Sequence, residues 1–211
     1  LKIDHSSINN IQLEDQQFIS NLDITGCQKL TRIDIINCNK LTQLNFSNLV
    51  DLNTVYITNC ASLTSITCNN NVSLNNITIV GCTKLSNVDL SNNPSTTLKI
   101  DISGTRLLSS VNLSQTQSLV SPILPQVNDV LTNLNLSNTA FDSIQFGSKE
   151  ITKYNGENVL DLSMYFTNDS AGNNGYNVNC KKLVLNVKNM KNVKYIKFEN
   201  DNTNPINIGS S

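Results

Sequence analysis

The sequence predicts a mainly β fold: a solenoid with short parallel strands on both sides of each coil and little or no helix. Three observations carry that expectation. From Leu22 to Asn93 one phrase returns every eleven residues, with Cys27, Cys38, Leu49, Cys60, Asn71, Cys82 and Asn93 in the same slot. An apolar-x-apolar pair precedes each slot, as in Ile33-Asp34-Ile35, Val55-Tyr56-Ile57 and Ile77-Thr78-Ile79, and an apolar residue follows three positions later (Leu30, Leu41, Leu52, Leu63, Leu74, Leu85). Such fixed-period self-similarity marks a repeat architecture, in which stacking of thin coils buries the apolar surface. No copy of the phrase leaves room for a helical stretch, so two phrases of eleven make one coil of about 22 residues with a strand on each side.

Within each phrase, apolar-x-apolar puts two side chains on the inner face of a short strand and points x outward. The Cys or Asn slot comes where the chain must turn, and a thiol or amide there can bond backbone groups that the bend leaves unpaired. The leucine three residues on fills the corner. Taken in order, the pattern is already running at Leu1-Lys2-Ile3 and at Ile8, Ile11 and Leu13, without a polar cap. Since solenoids hide their apolar ends, and the first residue is Leu, polypeptide upstream of Leu1 or another chain covering this end is expected. After Asn93 the pattern resumes at Leu98 to Ile102, Val111 to Leu113, Leu134 to Leu136 and Ile144 to Phe146. Pro122 and Pro125 bracket Ile123-Leu124 where a strand belongs, and their missing N–H groups predict a bend or a broken edge there. From Ile151 the pattern loosens: Leu160 to Leu162 reads as one more strand and Phe166 to Gly175 (FTNDSAGNNG) as an exposed loop. Two longer strands, Leu183 to Val187 and Val193 to Phe198, are expected to close the chain, with a polar tail fraying after Glu199. One solenoid domain over 1–211 follows, regular over 1–150 and irregular over 151–211. About eight coils at roughly 4.8 Å each would give a rod on the order of 40 Å long, right-handed by the usual hand of parallel crossovers.

The segments LTRIDIINC (Leu30 to Cys38), LNTVYITNC (Leu52 to Cys60) and LNNITIVGC (Leu74 to Cys82) resemble the leucine-rich repeat. The phrase is L-x-x-L-x-L-x-x-N/C-x-L. Without a helix in any copy, the likeness is to the short repeats of surface and secreted proteins of gut bacteria. That resemblance implies an extracellular or cell-surface setting in a bacterium, with a lipid anchor an option outside this segment.

Composition narrows the function further. A formal net charge of −1 and 15% charged residues argue against nucleic acid or an anionic membrane as partner, because both recruit a basic excess. No stretch approaches the roughly 18 apolar residues of a membrane span, and no signal peptide is seen. Hydrolase, zinc-protease and phosphate-loop motifs are missing, so the chain is expected to be non-enzymatic, with no catalytic residues, no cofactor and no metal. Asp169 to Gly175 and Glu199 to Asp201 lack calcium-loop spacing. The lysines from Lys181 to Lys197 alternate with apolar residues as a solvated sheet face would. His5 has no Cys or carboxylate company. Cys38, Cys60 and Cys82, 22 apart, should stack on one edge, with Cys27 opposite and Cys68 inside a strand. A straight ladder of thiols does not converge on one point, as zinc requires, and free buried thiols are the expectation. Without Trp, a stacking platform for sugars is not expected.

The outward positions distinguish the two sides. One side carries Gln43, Asn45, Ser47, Ser65, Thr67, Asn69, Asn87, Asp89 and Ser91, all polar and mostly small. The other carries Arg32, Asp34, Ile36, Thr54, Tyr56, Thr58, Asn76, Thr78 and Val80, with aromatic, aliphatic and arginine side chains of the kinds enriched at recognition surfaces. Arg32, Asp34, Ile36, Tyr56 and Val80 are therefore the candidate binding residues, and a protein is the expected partner. The function expected is a non-catalytic binding or scaffolding module. The alternative is a structural or accessory lipoprotein subunit of a surface nutrient-uptake or phage assembly.

Overall fold

In a computed structural model, residues 1–125, 131–141 and 143–146 are described, together with 153–154, 156–162, 184–188, 190, 192–193, 195–197 and 206–207. The expected loop at Phe166–Gly175, the Glu199–Asp201 segment, Cys180 and most of the lysines from Lys181 to Lys197 lie outside them.

Two parallel sheets face each other across the leucine columns. The first holds β1 (Asn10–Glu14), β2 (Arg32–Ile36), β4 (Thr54–Thr58), β6 (Asn76–Val80), β8 (Lys99–Gly104), β10 (Ile123–Leu124) and β12 (Gln145–Phe146), in that order. The second runs from β3 (Gln43–Asn45) through β5 (Ser65–Thr67), β7 (Asn87–Asp89), β9 (Ser110–Asn112) and β11 (Asn133–Asn135) to β15 (Val184–Asn186). Alternation of the chain between the sheets makes a β-solenoid of about six turns, with no helix among the described residues. Leu30, Leu41, Leu52, Leu63, Leu74 and Leu85 are fully buried, as are Ile33, Ile35, Val55, Ile57, Ile77 and Ile79. This is the inner column that the apolar-x-apolar pattern requires.

The turns depend on a residue type that the repeat phrase alone did not single out. Immediately before most slots, though not those of Cys27 and Thr105, the backbone enters the left-handed region: Asp15, Asn37, Asn59 and Gly81 on one edge, and Asn48, Asn70, Asn92, Gln115 and Asn138 on the other. Asn and Gly tolerate that conformation better than other residues. Their amides also stack, with Asn37 Nδ2 donating to Asp15 Oδ1 at 2.9 Å and Asn70 Nδ2 to Asn48 Oδ1 at 3.2 Å. At Gly81 a Cβ would stand 2.3 Å from Asn59 Oδ1, so glycine leaves room for the amide above it.

The slot side chain itself completes the bend. Asn71 Oδ1 accepts the N–H of Leu49 at 2.8 Å, and Asn93 Oδ1 accepts the N–H of Asn71 at 3.0 Å. Farther along, Thr105 and Thr139 fill the slot and donate to the carbonyls of Ile102 and Leu136, at 2.6 and 2.8 Å. Any small hydrogen-bonding group thus serves there.

Side-chain turns recur at the third position of the strands. In the second sheet Asn45, Asp89, Asn112 and Asn135 each accept, on the side-chain oxygen, the N–H two residues later, at 3.0 to 3.2 Å. These are Asx turns; Asp101 of β8 makes the same one to the Ser103 N–H at 3.0 Å within a strand of six residues, and β5 stops after three without one. At the equivalent places β4 and β6, of five residues each, carry Tyr56 and Thr78, and Asp34 of the five-residue β2 is engaged by Arg32.

Several expectations need correction. Ile123–Leu124 is neither a bend nor an edge: it pairs with β8 on one side and β12 on the other. The prolines flank the strand without occupying it, and Pro122 still offers its carbonyl to the N–H of Gln145. The closing strands are three residues long and belong to different sheets, β15 to the second and β16 (Tyr195–Lys197) to a third. That third sheet orders β13 (Lys153–Tyr154), β14 (Glu157–Asp161), β16 and β17 (Ile206–Asn207), with antiparallel pairs at both ends. Two further parallel coils therefore do not extend the rod to eight. Within the tail expected to fray, Ile206–Asn207 pairs with β16, where Ile206 lies opposite Ile196. The β13–β14 hairpin was signalled by Asn155-Gly156, a strong turn dipeptide, and Gly156 has a φ of 82°.

Candidate recognition face

Register fixes what the first sheet presents outward. Gln12, Asp34, Tyr56, Thr78 and Asp101 form one row, and Glu14, Ile36, Thr58 and Val80 a second. Arg32, Thr54, Asn76 and Lys99 form a third. Rungs are roughly 4.8 Å apart, so Ile36 and Val80 stand about two rungs from each other, with Thr58 between them.

Of the five candidate residues, Arg32 is exposed, Tyr56 is 36% exposed and Val80 39%, while Asp34 and Ile36 are half-buried. Arg32 Nε donates to Asp34 Oδ2 at 2.7 Å. This hydrogen bond, with the charge of Asp34, holds the guanidinium above its ordinary pKa. Its other oxygen, Asp34 Oδ1, is buried without a partner. The pair is thus tied down within one strand, and the apolar side chains Tyr56 and Val80 are the exposed contact groups. A register slip helps to bare Val80. Thr78 pairs with Asp101, but Val80 pairs with Gly104, where a Cβ would lie 2.9 Å from the Val80 Cα. Only glycine fits that approach, and glycine brings no side chain to cover Val80. Spacing shows β8 arriving one residue late, but not the further residue it gains between Asp101 and Gly104.

The second sheet presents a different chemistry. Asp89 accepts from Asn112 Nδ2 at 3.1 Å and from Asn69 Nδ2 at 3.3 Å. A depression of about 290 Å³ opens over this face, lined among others by Ser65, Thr67, Asp89, Ser110, Asn112 and Asn135. It offers hydrogen bonds and one carboxylate, without apolar contact groups standing proud.

The cysteines Cys27, Cys38, Cys60, Cys68 and Cys82 are buried and unbridged. Burial pushes the Cys68 thiol up to about 12 and raises Cys38 as well. A hydrogen bond to Cys82, together with burial, pushes Cys60 up. Because the thiolate is the nucleophile, folded protein at pH 8 is expected to resist thiol alkylation at Cys60 and to react there only after denaturation. Rapid labelling of folded protein, read by mass spectrometry of the Cys60 peptide, would contradict this. These raised values also mean that, above the ordinary thiol pKa of about 8.5, the unfolded chain releases protons first. The thiols' contribution is therefore fully present below that pH and declines as pH rises toward the folded values.

The two long parallel sheets thus make the described chain mainly a β-solenoid, a class of repeat fold that presents laddered faces. Compared with family descriptions, with curated proteins and with solved structures, it finds no match. Among the described residues there is no group of three or more His, Cys, Asp or Glu side chains placed to hold a metal ion, and no helix long and apolar enough to cross a membrane.

Proposed function

We propose that this chain is a leucine-rich-repeat module that binds or scaffolds a protein at a bacterial surface or in secreted form, without catalysing a reaction. The observation that carries the reading is the contrast between the two faces. Tyr56 and Val80 stand exposed on the first sheet beside Ile36 and the Arg32–Asp34 pair, whereas the second sheet is a ladder of Ser, Thr, Asn and Asp. An exposed aromatic with aliphatic neighbours offers apolar burial that amides and hydroxyls cannot, and aromatic anchors dominate interface energies. The phrase shared with leucine-rich repeats supports the family and, through it, the surface setting.

The test begins with a partner recovered by crosslinking to the immobilised chain. Tyr56→Ala is expected to weaken its binding by about 1–2 kcal/mol or more if Tyr56 is an anchor, while Asn45→Ala on the opposite sheet leaves affinity unchanged. If Tyr56 only shields the strand beneath it, the change would lower thermal stability by a fraction of a kcal/mol, as cross-strand neighbours do at about 0.2–1 kcal/mol. Unchanged affinity with lowered stability would remove the recognition role.

A second reading rests on a separate observation. β1 ends the first sheet, and Phe18 nearby is 96% exposed. A structural or accessory lipoprotein subunit of a nutrient-uptake or phage assembly would use such an end for docking. Co-purification with fixed partners, released by Phe18→Ser and not by Tyr56→Ala, would favour it.

A further inference from the structure

Cys38, Cys60 and Cys82 each lie two residues beyond strands that are in strict register, Ile36 beside Thr58 beside Val80. Their thiols therefore form a column with one sulfur per rung, and all three are fully buried. Each thiol donates to the carbonyl two residues before it, Cys38 to Ile36 at 3.4 Å, Cys60 to Thr58 at 3.6 Å and Cys82 to Val80 at 3.8 Å. In the amide-filled slots the N–H of the preceding rung points at the slot side chain, as the Leu49 N–H does at Asn71 Oδ1 at 2.8 Å. A straight column cannot surround a tetrahedral ion such as zinc, which needs four converging ligands. A two-coordinate ion needs no convergence. Two metal–sulfur bonds of roughly 2.3 Å laid end to end span about 4.6 Å, close to the ~4.8 Å between neighbouring rungs.

We propose that Cys60 and Cys82 form a linear two-thiolate site for a soft monovalent cation, Cu(I) or Ag(I). Thiolates select soft ions of this kind. On binding, each thiol loses its proton and each sulfur gives a lone pair to the ion; no electron is transferred. The product carries one negative charge over two sulfurs. Lys84, two residues beyond Cys82, adds a cation at the surface nearby. Entry requires only local opening of the turn, whose outer residues Ala61 and Thr83 are exposed. Cys38 extends the column by a rung but its thiol makes the shorter carbonyl bonds, 3.7 and 3.4 Å against 4.0 and 3.6 Å at Cys60 and 3.8 Å at Cys82, so the first ion goes to the Cys60–Cys82 pair.

The slot supplies a mild variant for the test. Asn71 and Asn93 fill it on the opposite edge, so Cys60→Asn removes the thiol and keeps a backbone partner. The protein, with Cys180→Ser to set aside the cysteine outside the described residues, is titrated anaerobically with Cu(I) against the chelator bicinchoninate. Native mass spectrometry, near-ultraviolet thiolate-to-copper absorbance and proton release are read together. The expected result is a single ion bound first, with release of two protons, since metal binding displaces protons from its ligands. Affinity should fall by more than the roughly 10–100-fold that loss of an outer-shell partner costs in both Cys60→Asn and Cys82→Asn, and be unchanged in Cys27→Ser. Binding no tighter than that of glutathione, binding that survives Cys60→Asn, or binding that depends on Cys27 would overturn the proposal.

Discussion

Replacing Asn93 by leucine is expected to lower stability by about 2–5 kcal/mol, at 1–3 kcal/mol for each buried polar group left without a partner. Asn93 is fully buried and bonds three backbone groups. It accepts the Asn71 N–H at 3.0 Å and donates to the Cys68 and Leu90 carbonyls at 2.9 and 2.7 Å. The Leu90 carbonyl keeps a second donor, Thr116 Oγ1, at 3.1 Å, so the heaviest cost falls on the Asn71 N–H and the Cys68 carbonyl. Leucine would match the side chain in bulk while leaving both unpaired. Cysteine at 93 should be far milder, because Cys82 occupies the same slot one edge away. Urea unfolding midpoints of the two variants decide the matter: an Asn93→Leu loss below about 1 kcal/mol, the net worth of one ordinary hydrogen bond, would mean that the slot is filled for bulk alone.

Phe46→Ala is expected to cost about 3–5 kcal/mol, the range for truncating a buried phenylalanine. Phe46 is among the largest fully buried side chains, and the residue one rung on in its column is the small Cys68. The loss should be set against Val50→Ala, an exposed residue at 47%, for which little change is expected because surface substitutions usually stay within about 0.5 kcal/mol. Equal small losses in both would show that neighbouring coils collapse into the space, which stacked, independently formed repeats could do more readily than a close-packed globular core. Thermal and urea unfolding give the same comparison by two routes.

Both predictions depend on positions that the eleven-residue phrase had already marked as inward. The sequence by itself determined the inner column, the slots, the strand pairs and which side chains face out on each sheet, because those properties repeat with the chain and each coil meets only its neighbours. It also set the column of Cys38, Cys60 and Cys82, which follows from spacing alone. The left-handed residues before the slots were legible too, in I-N-C, T-N-C and V-G-C, but only to a reader asking what backbone conformation the bend needs. Tertiary structure decided what depends on contacts between coils. It placed the short Pro-flanked strand inside the sheet, since pairing on both sides outweighs two missing donors at its flanks. It tied Arg32 to Asp34, and it bared Val80 through a bulge that only Gly104 allows. It also returned Val184–Asn186 to the second sheet while neighbouring segments pair antiparallel in a third. The physical reason is the same in each case: a repeat reports the interactions that every coil shares, whereas a bulge, an ion pair or an end layer depends on which particular side chains meet across a rung.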